Sequence, residues 1–141
     1  DIHCFWCSWN RRKVLFNLAQ KMGYNKIAFG HHLDDIVETI LLNLFFRGEI
    51  GAMRPKQVLF DGKVTVIRPL AYEREEAIIK FAKAKKFSSL CRYQCPHSLN
   101  TKRAVMKRLL AKLERDNPSV KTNIFKSLQN VKEDYLLDYP E

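Results

Sequence analysis

The stretch KIAFGHHLDDIVET, residues 26–39, decides the fold of this 141-residue chain. Its first four residues favour a short strand, and the glycine and polar residues that follow predict a loop. From Asp34 to Phe46 the chain is apolar on most sides, which predicts a helix buried under other layers. Two aspartates fall on the first turn of that helix, where the helix dipole favours negative charge. Strand, loop and helix in this order are typical of a layered α/β sheet.

The segments on both sides of this stretch support the same fold class. Residues 8–22 carry apolar side chains at helical spacing and end at Gly23, a usual helix stop. Residues 58–67 are two β-rich runs around an Asp-Gly pair, which predicts a hairpin. Residues 73–86 predict a third helix. We therefore expect an α/β domain with a mostly parallel sheet flanked by helices, in which the hairpin supplies an antiparallel element.

The last third of the chain has a different character. Residues 87–100 lose periodicity and carry two cysteines, which predicts a loop. Residues 101–115 and the segment from Val120 to about Leu137 predict two further helices. We expect two parts: residues 1–86 form the α/β domain, and residues 87–141 form a cysteine loop with a basic helical extension.

The formal net charge of +10 is large for a chain that buries one ordinary core. Such a charge favours a polyanionic partner, and nucleic acid is the leading candidate. A membrane is not expected, because the sequence has no apolar run of about 18 residues. Without a signal peptide, a reducing cytoplasm is the expected location. The alternative for the basic segment is a helix face that is simply solvated. The residues expected to contact RNA are Arg12, Lys102, Arg103, Lys107 and Arg108.

The pair Cys4 and Cys7 is the sharpest local signal, because CxxC spacing lets two thiolates meet one metal ion. With Cys91 and Cys95 it supplies four ligands for a structural zinc. Three cysteines suffice for an iron–sulfur cluster that keeps one iron open. A redox pair or plain thiols are the third alternative. Spacing alone favours zinc slightly and does not choose between zinc and iron.

The motif that follows the predicted strand is a candidate nucleotide site, because open α/β sheets bind ligands at the carboxyl ends of their strands. Its cofactor-contacting candidates are Gly30, His31 and His32. Asp34 and Asp35 are catalytic candidates that orient a nucleophile, take a proton or meet Mg²⁺. Their alternative role is to start the helix.

A further catalytic candidate lies on the first predicted helix. Arg11 follows Cys7 by one helical turn, so it shares a helix face with that cysteine. There it would stabilise a cluster, a thiolate or a phosphate. The alternative is a solvated helix start.

Taken in order, several motifs resemble the tRNA 2-thiocytidine synthetase (TtcA) family of PP-loop ATPases. The resemblance covers nearly the whole chain. Its motifs are CxxCSxxRR (residues 4–12), KIAFGHHLDDIVET (26–39), IRPLAYERE (67–75), the Cys95 loop with NTKR (100–103), and LQNV (128–131).

The resemblance implies an adenine nucleotide α-hydrolase-like fold, Mg-ATP as cosubstrate, and a [4Fe-4S] cluster. Cys4, Cys7 and Cys95 fall on the cluster ligands, with Cys91 as the alternative to Cys95. Asp35 is the first candidate for the catalytic carboxylate and Asp34 the second. Such enzymes adenylate the C2 oxygen of an anticodon-loop cytidine in tRNA and replace it with sulfur. The sulfur comes from a cysteine desulfurase or another donor, and a homodimer is compatible with the pattern.

One departure from the family pattern limits these expectations. The SGGxDS phosphate loop is absent from the 141 residues, so we expect it upstream of Asp1 in a longer protein. Alone, the chain should bind ATP weakly and catalyse nothing. Two alternative functions stay open: a zinc-stapled RNA-binding module, and a PP-loop ATPase that modifies a different tRNA base.

Overall fold

The structure is a computed structural model that describes residues 2–87 and 101–137, with the backbone alone for residues 2–4. Helices and a small sheet confirm the α/β class. The helices are α1 (Ile2–Lys21), α2 (Leu33–Arg47), α3 (Glu75–Ala84), α4 (Lys102–Asp116) and α5 (Val120–Ser127), and the strands are β1 (Lys26–Ala28), β2 (Lys56–Leu59) and β3 (Val64–Ile67). None of the helices in these ranges is long and apolar enough to cross a membrane.

β3 is the central strand of the described sheet, whose order is β1-β3-β2. It pairs in parallel with β1, where Ile27 lies opposite Val66, and antiparallel with β2. The sheet is therefore mixed within the described residues. The predicted hairpin is confirmed, with a four-residue loop, residues 60–63, between its strands. Phe60 and Asp61 both adopt positive φ, at 53° and 54°, a conformation that non-glycine residues seldom take.

The core forms where α4 and α5 pack on α2. One buried cluster joins α2 to α4, and its members are Leu33, Val37, Leu41, Met106 and Leu110. A second joins α2 to the loop after β3, and its members are Ile36, Ile40 and Ala71. Ile124 and Phe125 of α5 pack against both. The helices expected to form an extension thus share a core with α2, while the last turn of α2 exposes Leu44, Phe45 and Phe46.

The largest differences from the sequence-based prediction of helix boundaries occur in α1 and α5. α1 begins at Ile2 rather than Ser8, so both cysteines of the CxxC pair lie on helical backbone. α5 ends at Ser127, so the helix predicted to continue to about Leu137 is wrong. The amide of Asn130 donates to the Lys126 carbonyl over 2.8 Å, and the Ser127 hydroxyl donates to the Ile124 carbonyl over 2.7 Å. These side chains satisfy the last carbonyls and end the helix.

Candidate functional site

A cavity of about 650 Å³ lies at the carboxyl ends of β1 and β3, the edge where the sequence predicted a ligand. β1 leads into Phe29 and His31, and β3 leads into Arg68; all three line the cavity. None of the described lining residues carries a carboxylate. Six lining side chains are basic: Arg11, Arg12, Arg47, Arg68, Lys102 and Arg103. The cavity is therefore built to attract an anion.

Two lining residues present polar atoms that their surroundings leave unsatisfied. Nδ1 of His31 and Nε of Arg68 are buried and find no hydrogen-bond partner among the described residues. Burial lowers the pKa of His31, and the charges of Arg68, Arg103 and Arg12 lower it further against the opposing charge of Asp35. Buried polar atoms usually have partners, so these two are suited to contact a ligand.

Asp35 lies beside the cavity with both carboxylate oxygens held. Its Oδ2 accepts a hydrogen bond from the backbone N–H of His32 over 3.1 Å. This contact is part of a capping box at the N-terminus of α2. Its Oδ1 lies 3.0 Å from Nη1 of Arg103. Arg103 also lines the cavity, as does Thr39 one turn further along α2. Asp35 is thus both a helix-start residue and a carboxylate next to the basic cavity.

Asp34 faces a different part of the molecule. Its Oδ2 accepts the backbone N–H of Glu75 over 2.7 Å, so it caps α3, and its Oδ1 lies 2.8 Å from the ammonium of Lys121. Burial would raise the pKa of Asp34, but the Glu75 hydrogen bond and Lys121 outweigh it, and the net pKa is lowered. Asp34 lies outside the basic cavity and has structural partners on both oxygens.

A second buried carboxylate was missed by sequence reasoning. Glu38 is 5% exposed, and its Oε2 lies 3.6 Å from Nε of Arg103. Burial raises the pKa of Glu38, and the charge of Arg103 opposes that shift. Glu38 follows Asp35 by three residues on α2, so helical spacing was the signal available in the sequence.

Arg68, Arg47 and Lys121 were also missed as individual site residues. Arg68 directly follows β3, and this position at the carboxyl end of a strand could have identified it. Its backbone N–H donates to Pro55 over 2.8 Å, and its guanidinium donates to the carbonyl of Arg54. Arg68 is therefore held at the cavity rather than free in solvent.

The remaining predicted residues fall into three groups. Arg11, Arg12 and Lys102 line the cavity together with His31 and Arg103. Lys107 and Arg108 lie outside its lining, and Lys107 instead pairs with Glu75 at 2.8 Å. His32 is the N-cap residue that precedes α2. Gly30 has open space where a Cβ would lie, so no close backbone approach requires a glycine there within the described structure.

Of the predicted cluster ligands, the structure describes one side chain. Cys7 is a free, exposed thiol on α1. Cys4 is described by its backbone alone, and Cys91 and Cys95 lie outside the described residues.

Comparison with known proteins gives matches of three kinds. The family described as PP-loop domain matches residues 9–113. The tRNA-cytidine(32) 2-sulfurtransferase of Geobacter sulfurreducens is 48% identical over 138 residues, covering 96% of this chain and 53% of that protein. The protein of the same name from Coxiella burnetii strain CbuG_Q212 is 38% identical over 137 residues, covering 97% of this chain and 54% of that protein. The chain thus spans about half the length of the curated relatives it matches.

Among solved structures, the U34-tRNA thiolase NcsA from Methanococcus maripaludis, with its [4Fe-4S] cluster, matches with a TM-score of 0.71. The match covers 90% of this chain and 43% of that chain at 22% identity. This likeness shows a shared fold.

Proposed function

This chain belongs to the PP-loop domain family, and from that premise we propose that it serves ATP-dependent, iron–sulfur-dependent thiolation of a tRNA cytidine. The observation that carries the proposal is the basic cavity at the carboxyl edge of β1 and β3, with Asp35 beside it. The names of the relatives support the reaction, because two proteins 48% and 38% identical to this chain are called tRNA-cytidine(32) 2-sulfurtransferases.

The cavity suits one phosphate-bearing nucleotide. Its volume of about 650 Å³ falls within the range of small-molecule sites, roughly 300–1,000 Å³. Six cations without a lining carboxylate favour phosphate, and Arg68 and His31 add unused hydrogen-bonding atoms. We assign His31 to the nucleotide and Arg12 and Lys102 to the RNA. Gly30 and His32 would support the nucleotide loop, and Lys107 and Arg108 would contact RNA away from the cavity.

Asp35 is the better catalytic carboxylate of the two predicted. Its Oδ1 contacts Arg103, which lines the cavity, whereas Asp34 is committed to Glu75 and Lys121. Arg11 lines the cavity from α1 and would stabilise negative charge that develops on the reacting oxygen. Adenylation would release pyrophosphate and turn the C2 oxygen into part of a good leaving group, AMP, which departs when sulfur replaces it. Mg²⁺ would accompany the ATP phosphates.

The donor set on α1 fits an iron–sulfur cluster. Cys4 and Cys7 are three residues apart on helical backbone, so they lie on one face of α1, and the Cys7 thiol is exposed. Thiolates are the ligands that such clusters prefer. With Cys95 as the third ligand, a bound cluster would supply an iron with an open position for sulfur. The sulfur donor, a cysteine desulfurase or another protein, and a homodimer remain predictions, as does a cytoplasmic location.

Nucleoside analysis tests the proposed function. In a strain that lacks the gene, 2-thiocytidine should vanish from digested tRNA, and the wild-type gene should restore it. The Asp35→Asn gene should not restore it, whereas Lys83→Gln, an exposed change on α3, should. Persistence of 2-thiocytidine in the deletion strain would contradict the proposal. Loss of another modified nucleoside instead would favour a PP-loop ATPase for a different base. Stoichiometric zinc in protein prepared without oxygen would favour the RNA-binding module.

A further inference from the structure

We propose that Arg103, predicted from sequence as an RNA contact, is a positioning residue that orients the carboxylate of Asp35. This inference rests on the proposed function and deepens it. The observation is that the Arg103 guanidinium spans three acceptors on one face of α2. An arginine with three acceptors in its own protein differs from a solvated arginine whose donors are available to an RNA phosphate.

The first turn of α4 places Arg103 against α2. The hydroxyl of Thr101 accepts the backbone N–H of Ala104 over 3.1 Å and fixes the start of the helix. Met106 and Leu110 follow Arg103 by three and seven residues, so all three lie on one stripe of α4. Met106 and Leu110 are buried against α2, and their packing sets the distance at which the Arg103 side chain meets it.

The guanidinium contacts occupy different nitrogen atoms. Nη1 lies 3.0 Å from Oδ1 of Asp35, Nη2 donates to the hydroxyl of Thr39 over 3.4 Å, and Nε lies 3.6 Å from Oε2 of Glu38. The three partners occupy positions i, i+3 and i+4 of α2. A planar fork is required to meet all three, and the ammonium of a lysine has no such geometry.

Each of the two oxygens of Asp35 therefore has a partner of its own. The backbone N–H of His32 holds Oδ2, and Arg103 holds Oδ1. These two contacts fix the orientation of the carboxylate plane. The lone pairs that remain unused then keep a fixed direction relative to the cavity. Groups that orient a catalytic side chain matter for rate, because misaligned geometry slows the reaction even when the substrate stays bound.

This role is separable from folding. The Arg103 side chain is 45% exposed, so its pairs with the more buried Asp35 and Glu38 add less to stability than fully buried ion pairs. The Arg103→Gln protein should therefore fold, and its defect should appear in the reaction. Arg103→Lys keeps the charge and loses the fork, so it tests geometry alone.

The experiment uses the full-length protein and measures two quantities. These are the single-turnover rate of tRNA thiolation and the affinity for tRNA. We expect Arg103→Gln and Arg103→Lys each to slow thiolation at saturating tRNA by about 10- to 100-fold, the usual effect of removing an orienting partner. Their tRNA affinity should stay close to wild type, and Lys83→Gln should match wild type in both. Thiolation at the wild-type rate in Arg103→Lys, or weakened tRNA binding with an unchanged rate, would overturn the proposal.

A double mutant distinguishes action through Asp35 from action elsewhere. If Arg103 acts by orienting Asp35, then adding Arg103→Gln should not lower the residual single-turnover rate of the Asp35→Asn protein any further. Independent, multiplicative losses would show that Arg103 does not act through Asp35. A wild-type protein that thiolates no cytidine would contradict the proposed function itself, and the proposal on Arg103 with it.

Discussion

The ammonium of Lys121 lies 2.8 Å from Oδ1 of Asp34, and this contact ties α5 to the first turn of α2. The other oxygen of Asp34 caps α3 through the N–H of Glu75. Lys121 also lies 2.7 Å from Oε2 of Glu114 on α4. The partly buried Lys121 and the buried Asp34 therefore connect four helices, α2, α3, α4 and α5.

Removing Lys121 should destabilise the protein. In Lys121→Met the charge of Asp34 stays buried without its cation, and breaking a buried pair in this way costs about 3 kcal/mol. Urea unfolding followed by circular dichroism measures the loss. Lys126→Met, an exposed lysine on the same helix, is the matched control and should change little. Equal effects of the two substitutions would contradict a structural role for the pair.

Acidification should weaken the fold through His31. Because burial holds the pKa of His31 below its ordinary value of 6.5, the fold favours the neutral imidazole. Its contribution to stability is therefore present above about pH 6.5 and is lost as the pH falls through the lower folded pKa. The free energy of unfolding should fall over this window, and less steeply in His31→Asn. If the unfolding free energy of both proteins changed equally with pH, His31 would not be the group responsible.

The core between α2 and α4 can be tested on one helix. Leu110 is 1% exposed, whereas Leu113, one turn later, is 40% exposed. Leu110→Ala should lower the free energy of unfolding by about 3 kcal/mol, because it leaves a cavity in packed surroundings. Leu113→Ala should cost about 0.5 kcal/mol. Denaturant titration of both variants measures the difference. A larger loss of unfolding free energy in Leu113→Ala would contradict the placement of Leu110 in the core.

Arg12, which we assign to the RNA, should contribute one phosphate contact to tRNA binding. If it does, Arg12→Gln should weaken tRNA binding and reduce the slope of log affinity against log salt concentration by about 1. Filter binding at several salt concentrations measures both effects. Lys83→Gln removes the same charge away from the cavity and should leave the slope unchanged. A slope unaltered by Arg12→Gln would exclude this contact.

Three of the four cysteines should bind the cluster, and Cys91 should not. Cys7→Ser and Cys95→Ser should each lose the visible absorbance and the iron of protein prepared without oxygen, because a cluster needs three thiolates here. Cys91→Ser should retain both. The reverse result for Cys91 and Cys95 would exchange their roles. If Cys7→Ser retained the absorbance and the iron, α1 would not contribute a ligand to the cluster.

The elements predicted best from sequence are those fixed by local pattern. The strand before Gly30, the apolar helix after it and the hairpin all formed where expected, because period and turn chemistry are local properties. α5 was predicted too long, since the apolar residues beyond Ser127 resembled a continuing helix, while side-chain hydrogen bonds to its last carbonyls end it.

The candidate site was predicted in part, and the missing part is made of contacts between distant residues. Arg103 and Asp35 are 68 residues apart, so no spacing rule could show that the arginine holds this aspartate. The neighbours Asp34 and Asp35 looked alike in the sequence. Their roles separate only when α3 and α5 pack beside one of them and α4 beside the other.

The position of Lys121 also has a consequence for the order in which the chain folds. Synthesis proceeds from the amino terminus, so Asp34 leaves the ribosome 87 residues before Lys121, the cation that it contacts. Until then Val37 and Leu41 also lack Met106 and Leu110 above them. The nascent chain therefore passes through a stage in which α2 presents an uncovered apolar face and an unpaired acid. Completion of this core awaits the synthesis of α5.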